Sequence, residues 1–170
     1  MKNVLIISGH TNLTNDSVAN KTIIEELRKA HPEYQFNVLS EAYRDYIVDV
    51  AAEQEKLKWA DVIVLQFPVF WYSMPSLLRK WIEDVVVHGS AYGSEGTALQ
   101  GKKLIASFTT GAPAESYSKE SFVGRDFWRT IETHSQSLRN AIATLCLHLW
   151  RVVCQSHRPT STRNNEATMP

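Results

Sequence analysis

The chain has 170 residues, 44% of them hydrophobic, and 18 basic side chains balance 18 acidic ones. That length suits one domain with its own core, and a neutral balance excludes the strongly basic face that nucleic-acid partners require. No apolar run approaches the ~20 residues that cross a bilayer, and Met1-Lys2-Asn3-Val4 leads straight into an apolar segment, so the sequence reads as cytoplasmic without a signal peptide. Cys146 and Cys154 form no Cys-x-x-Cys pair and have no histidine at finger spacing. They read as free thiols, and no metal site is expected.

Val4-Leu5-Ile6-Ile7 is a continuous apolar run, the pattern of a strand covered on both faces. After a polar stretch, Ala19, Ile23, Ile24, Leu27 and Ala30 recur at helical spacing. Phe36 to Leu39 predicts a second strand and Ala51 to Ala60 a second helix. Val62-Ile63-Val64-Leu65 is another buried strand type. Leu77, Leu78, Trp81, Ile82 and Val85 then mark one face of a helix, with Pro75 near its start. A glycine-bearing loop runs from His88 to Gly101. Leu104 to Phe108 predicts a fourth strand, Ser135 to Leu145 a helix, and Leu149 to Cys154 a fifth strand at the sheet edge. Strands alternating with helices predict parallel βαβ units in a three-layer α/β sandwich. Such sheets bind ligands beyond the carboxyl ends of their strands.

Three loops leave those ends. The first, residues 8–20, joins a strand to a helix N-terminus, where free N–H groups and the helix dipole attract a phosphate. His10, Thr14, Ser17 and Asn20 add hydrogen-bonding groups. Neither a P-loop nor a Gly-x-Gly-x-x-Gly fingerprint is present. The alternative is an ordinary turn capped by Asn15 or Asp16. The second loop, residues 66–75, reads Gln-Phe-Pro-Val-Phe-Trp-Tyr-Ser-Met-Pro. Its aromatics offer flat surfaces to a planar ring, or else fill a core or a subunit interface. The third, residues 109–117, carries Gly111, which permits close backbone approach, and ends on the phenol of Tyr117. Backbone N–H groups there suit the polar edge of a flavin and would stabilise charge on its reduced form.

Together these segments resemble the NAD(P)H:quinone oxidoreductase family of flavodoxin-like proteins. The resemblance extends to bacterial members that include ancillary subunits of glutathione-gated potassium efflux systems. It is carried by Ile6-Ile7-Ser8-Gly9-His10, Ser17-Val18-Ala19-Asn20-Lys21, Asp49-Val50-Ala51-Ala52-Glu53-Gln54 and Ala60-Asp61. Gln66-Phe67-Pro68, Trp71-Tyr72-Ser73-Met74-Pro75, Leu77-Leu78-Arg79-Lys80-Trp81, His88-Gly89, Ala91-Tyr92-Gly93 and Thr109-Thr110-Gly111 complete it. The resemblance implies a five-stranded parallel sheet in the order 2-1-3-4-5. It implies a flavin, FMN in preference to FAD because no segment for an adenosine half is evident, and NAD(P)H as co-substrate. It further implies a quinone-like acceptor and a homodimer with the flavin near the subunit boundary. By matching position, His10, Ser17, Val18, Ala19 and Asn20 would hold the phosphate or ribityl tail. Pro68, Val69, Phe70 and Trp71 would border the ring, and Thr109, Thr110, Gly111 and Ala112 would meet its polar edge. Tyr117 matches a tyrosine placed for proton transfer.

Two departures from the family pattern stand out. Some members place a histidine shortly after the tyrosine, and Ser118 to Asp126 contains none. A last helix is also missing after the fifth strand, where residues 158–170 have the composition of a disordered tail. The expected division is therefore a flavin-binding domain over 1–157 and a tail over 158–170. Rival functions are an azo or nitro reductase, a one-electron carrier, and a regulatory subunit on a membrane transporter.

Overall fold

A computed structural model describes residues 2–112, 114–118, 120, 121, 124, 129 and 151–154. The expected helix over Ser135 to Leu145 and the tail over 158–170 lie outside these residues.

Strand β1 is Val4–Ser8, β2 is Gln35–Val38, β3 is Val62–Pro68 and β4 is Lys103–Thr110. All pair in parallel, and the order across the sheet is β2-β1-β3-β4. Arg151–Cys154 (β5) runs parallel beside β4, with Thr110 opposite Cys154. Helix α1 is the short turn Leu13–Asp16, α2 is Ala19–Ala30, α3 is Leu39–Ala42, α4 is Val50–Trp59 and α5 is Ser76–Val85. Among the described residues no helix is long and apolar enough to cross a membrane.

Period-two alternation sends successive strand residues to opposite faces. Leu5, Ile7, Ile63, Leu65, Phe67 and Phe108 join a core with Leu57 of α4 and Leu77, Leu78, Trp81 and Val85 of α5. Ile6 and Val64 face the other way, toward Ile24 and Leu27 of α2. Each of these large side chains contributes about 1.5–3 kcal/mol on burial. The larger core is closed by a fully buried carboxylate. Glu53 accepts from Asn37 Nδ2 at 2.5 Å, Tyr43 Oη at 2.6 Å, Trp81 Nε1 at 2.8 Å and Lys56 Nζ at 2.5 Å.

Boundaries shift from expectation where pairing overrides composition. Leu39 begins α3 instead of ending β2. Helix α4 starts at Val50, because the Asp49 side chain accepts from Ala52 N at 3.1 Å and caps it. Strand β3 continues through Gln66, Phe67 and Pro68, and β4 through Thr109 and Thr110, residues assigned to loops from their composition. The register explains this: Gln66 pairs with both Ser8 and Ser107, and Pro68 lies opposite Thr109.

Candidate functional site

Parallel pairing places Ser8, Pro68 and Thr110 at one edge of the sheet, so the three loops emerge side by side. Three contacts join them. The His10 ring meets Phe70 edge-on, with centroids 5.8 Å apart. Val69 N donates to Thr109 O at 2.8 Å. Asn20 Nδ2 donates to Thr109 Oγ1 at 3.0 Å. The first loop is thereby tied to the second and third, and the second to the third.

In the first loop, Gly9 N donates to Gln66 O at 2.8 Å, and its Cα packs against α5. A Cβ there would stand 2.7 Å from Leu78 Cδ2, so only glycine lets the loop leave at this angle. His10 is buried, and its Nδ1 accepts from Asn12 N at 3.0 Å. An acceptor Nδ1 leaves the hydrogen of the neutral ring on Nε2. Burial holds the imidazole below its ordinary value of 6.5, with the Asp16 carboxylate pulling weakly upward. A neutral N–H donor is thus available beside the loop.

The expected caps do not hold. Asn15 Nδ2 and Asp16 Oδ2 both bond Asn12, at the start of the unforeseen turn α1. Helix α2 is capped instead by Ser17, whose Oγ accepts from Asn20 N at 3.1 Å. Ser17, Val18 and Ala19 form the helix entry, with Val18 exposed. Asn20 is buried, and its side-chain oxygen also accepts from Gln66 Nε2 at 2.6 Å.

The second loop is a two-residue turn. Phe70 N and Ser73 O bond at 2.9 Å, and Ser73 N and Phe70 O close the same ring at 2.9 Å. Trp71 and Tyr72 fill its corner with φ of 49° and 61°. Positive φ at both central positions defines a type I′ turn, which normally takes Asn or Gly. For two bulky aromatics the conformation costs about 1–2 kcal/mol each, and such strain concentrates at functional sites. Trp71 is 94% exposed, so it fills no core of this chain. Phe67, four residues earlier, is the aromatic that does.

In the third loop, Thr109 and Thr110 are buried at the end of β4. Gly111 stands in open space, where a Cβ would meet nothing within 4 Å. A 3-10 turn over Ala114–Tyr117 brings the phenol back, so that Ala112 N donates to Tyr117 Oη at 3.4 Å. The Tyr117 ring packs against the larger core. The Tyr92 ring packs edge-on against His88, with centroids 5.7 Å apart. One participant escaped the sequence reading, the buried Gln66. Its signal is a polar residue in an otherwise apolar strand, in register with Ser8 and Ser107.

A profile described as "Flavodoxin-like fold" matches residues 2–145. General stress protein 14 of Bacillus subtilis is 44% identical over 114 residues, which are 67% of this chain and 64% of that protein. The match therefore spans under two thirds of that relative's length. A crystal structure of general stress protein 14 from Treponema denticola in complex with FMN is 31% identical. It superposes with a TM-score of 0.77 over 88% of this chain and 83% of that one. A structure described as a thermophilic tryptophan halogenase from Streptomycin violaceusniger is 34% identical, with a TM-score of 0.78 over 91% and 88%. Proteins named as quinone reductases share the same fold.

Proposed function

The chain belongs to the flavodoxin-like fold family, and from that premise we propose that it binds FMN at the three joined loops and reduces quinone-like acceptors with NAD(P)H. The reading is carried by the aromatic turn, held against the end of β4 by the Val69–Thr109 bond with Trp71 outward and Gly111 open beside it. A planar ring needs that pairing of flat surface and unobstructed backbone. The FMN bound to the Treponema relative supports the choice of flavin.

His10, through Nε2–H, and the α2 entry over Ser17, Val18, Ala19 and Asn20 bind the phosphate or ribityl end. Pro68, Val69, Phe70 and Trp71 border the ring, and Thr109, Thr110, Gly111 and Ala112 meet its polar edge. When bound, a flavin accepts a hydride from a reduced nicotinamide and passes two electrons to an acceptor. The residues orient it, keep water from its buried side and lend a proton. We assign that proton to the Tyr117 hydroxyl, which the Ala112 N–H holds beside the third loop. The flavin-binding domain extends over 1–157, and the working form is a cytoplasmic homodimer.

The test is the visible spectrum of the purified protein, before and after NADPH and then benzoquinone without air. Flavin absorbance that bleaches with NADPH and returns stoichiometrically with quinone is expected. A protein that stays colourless after incubation with FMN and with FAD refutes the reading. Bleaching with no recovery on quinone would move the acceptor to azo or nitro compounds.

A further inference from the structure

Gln66 and Asn20 are both buried, and their side chains bond each other across the gap between β3 and α2. Asn20 passes the connection on to Thr109 of β4 through its Nδ2, and Thr109 Oγ1 lies 3.2 Å from Asn20 Oδ1 as a donor in return. The chain Gln66–Asn20–Thr109 thus runs inside the sheet edge from the second loop's strand, through the first loop's helix, to the third loop's strand. The Asn20 oxygen and one of its two amide hydrogens are engaged by protein partners.

Gln66 sits there at a cost. Its Oε1 has no hydrogen-bond partner among the described residues, and neither has Ser8 Oγ at the same register on β1. A buried acceptor left unpaired opposes folding, so an apolar side chain of equal volume would serve stability better. We propose that Gln66 and Asn20 are positioning residues, which hold the phosphate-binding entry of α2 at a set distance from the ring-edge segment Thr109–Ala112. This rests on the flavin reading above and deepens it. A ligand with both a ring and a phosphate bridges the two arms, and it gains only if their spacing is already set. A ligand with the ring alone uses one arm and is indifferent to the spacing.

The experiment compares FMN with riboflavin, which lacks the phosphate, by quenching of flavin fluorescence on the full chain. Gln66→Met should raise the FMN Kd about tenfold while moving the riboflavin Kd less than about twofold. Gln66→Leu should reproduce that pattern, because it also removes the donor to Asn20 Oδ1. Equal weakening of the two ligands means general loosening and overturns the proposal, as does an unchanged FMN Kd in Gln66→Met. Should Gln66→Met not fold, Gln66→Leu decides by the same two criteria. A wild-type chain that binds no flavin would overturn the functional reading instead, so the two failures are distinguishable.

Discussion

Replacing Glu53 with leucine should cost about 3–5 kcal/mol, the usual price of removing one partner from a buried ion pair. The figure can be built from the structure. Leucine would strand three donors, Asn37 Nδ2, Tyr43 Oη and Trp81 Nε1, each bonded to this carboxylate in the core. Each orphaned donor costs about 1–3 kcal/mol. Lys56 is partly exposed and can turn to water, so it adds little. Some relaxation lowers the sum toward the bottom of its range. For a chain of this size about 2–4 °C of Tm follows each kcal/mol, so the midpoint should fall by roughly 6–20 °C. Glu53→Gln keeps the shape but turns an N–H₂ toward groups that themselves donate, so it should lie between wild type and leucine. Urea unfolding followed by circular dichroism measures all three, with the slope m as a check that the same surface is exposed. A loss below about 1 kcal/mol in Glu53→Leu would mean that the donors find other partners, and that the cage is not what holds α4, α5 and β2 together.

Three further outcomes follow from the site. Trp71→Gly should stabilise the unliganded protein by about 0.5–1 kcal/mol, because glycine relieves the positive φ and the exposed ring buries nothing, while flavin retention falls. Lower stability, or unchanged retention, would contradict the assigned role. His10 should make stability pH-dependent. Burial lowers its native value, so as pH falls the unfolded chain takes up the proton first. Its contribution is fully present above pH 6.5 and is lost as pH drops through the lowered value. His10→Gln should flatten that part of the profile of urea midpoint against pH, and an unaltered slope would refute the buried, neutral ring. Tyr117→Phe should keep flavin bound but slow quinone turnover about 100-fold or more, within the range for losing a positioned proton donor. Wild-type turnover in stopped-flow assays would remove Tyr117 from the mechanism.

The parts of this molecule legible in its sequence are those set by near neighbours. The apolar runs of β1 and β3 and the helical stripe of α5 state their own burial, and strands alternating with helices imply parallel pairing, whereas the order β2-β1-β3-β4 is implied by the family resemblance. What escaped depends on partners distant in the chain. Glu53 looks like a solvated helix residue until Asn37 and Trp81, 16 and 28 positions away, are brought to it. Gln66 looks like the start of a loop because it is polar, and only its pairing with Ser8 and Ser107 keeps it in a strand. The type I′ turn was hidden for a different reason. Its usual markers are Asn and Gly, and Trp71-Tyr72 carries neither. The local rule failed where strained aromatics stand at the strand ends, and the polar Gln66 interrupts an apolar strand at the same edge of the sheet. Departures from local preference are expected to gather at functional positions, because there the backbone and the core give up stability for a ligand. That two unrelated departures meet around the same three loops is a physical reason, independent of any relative, to look for a ligand site there.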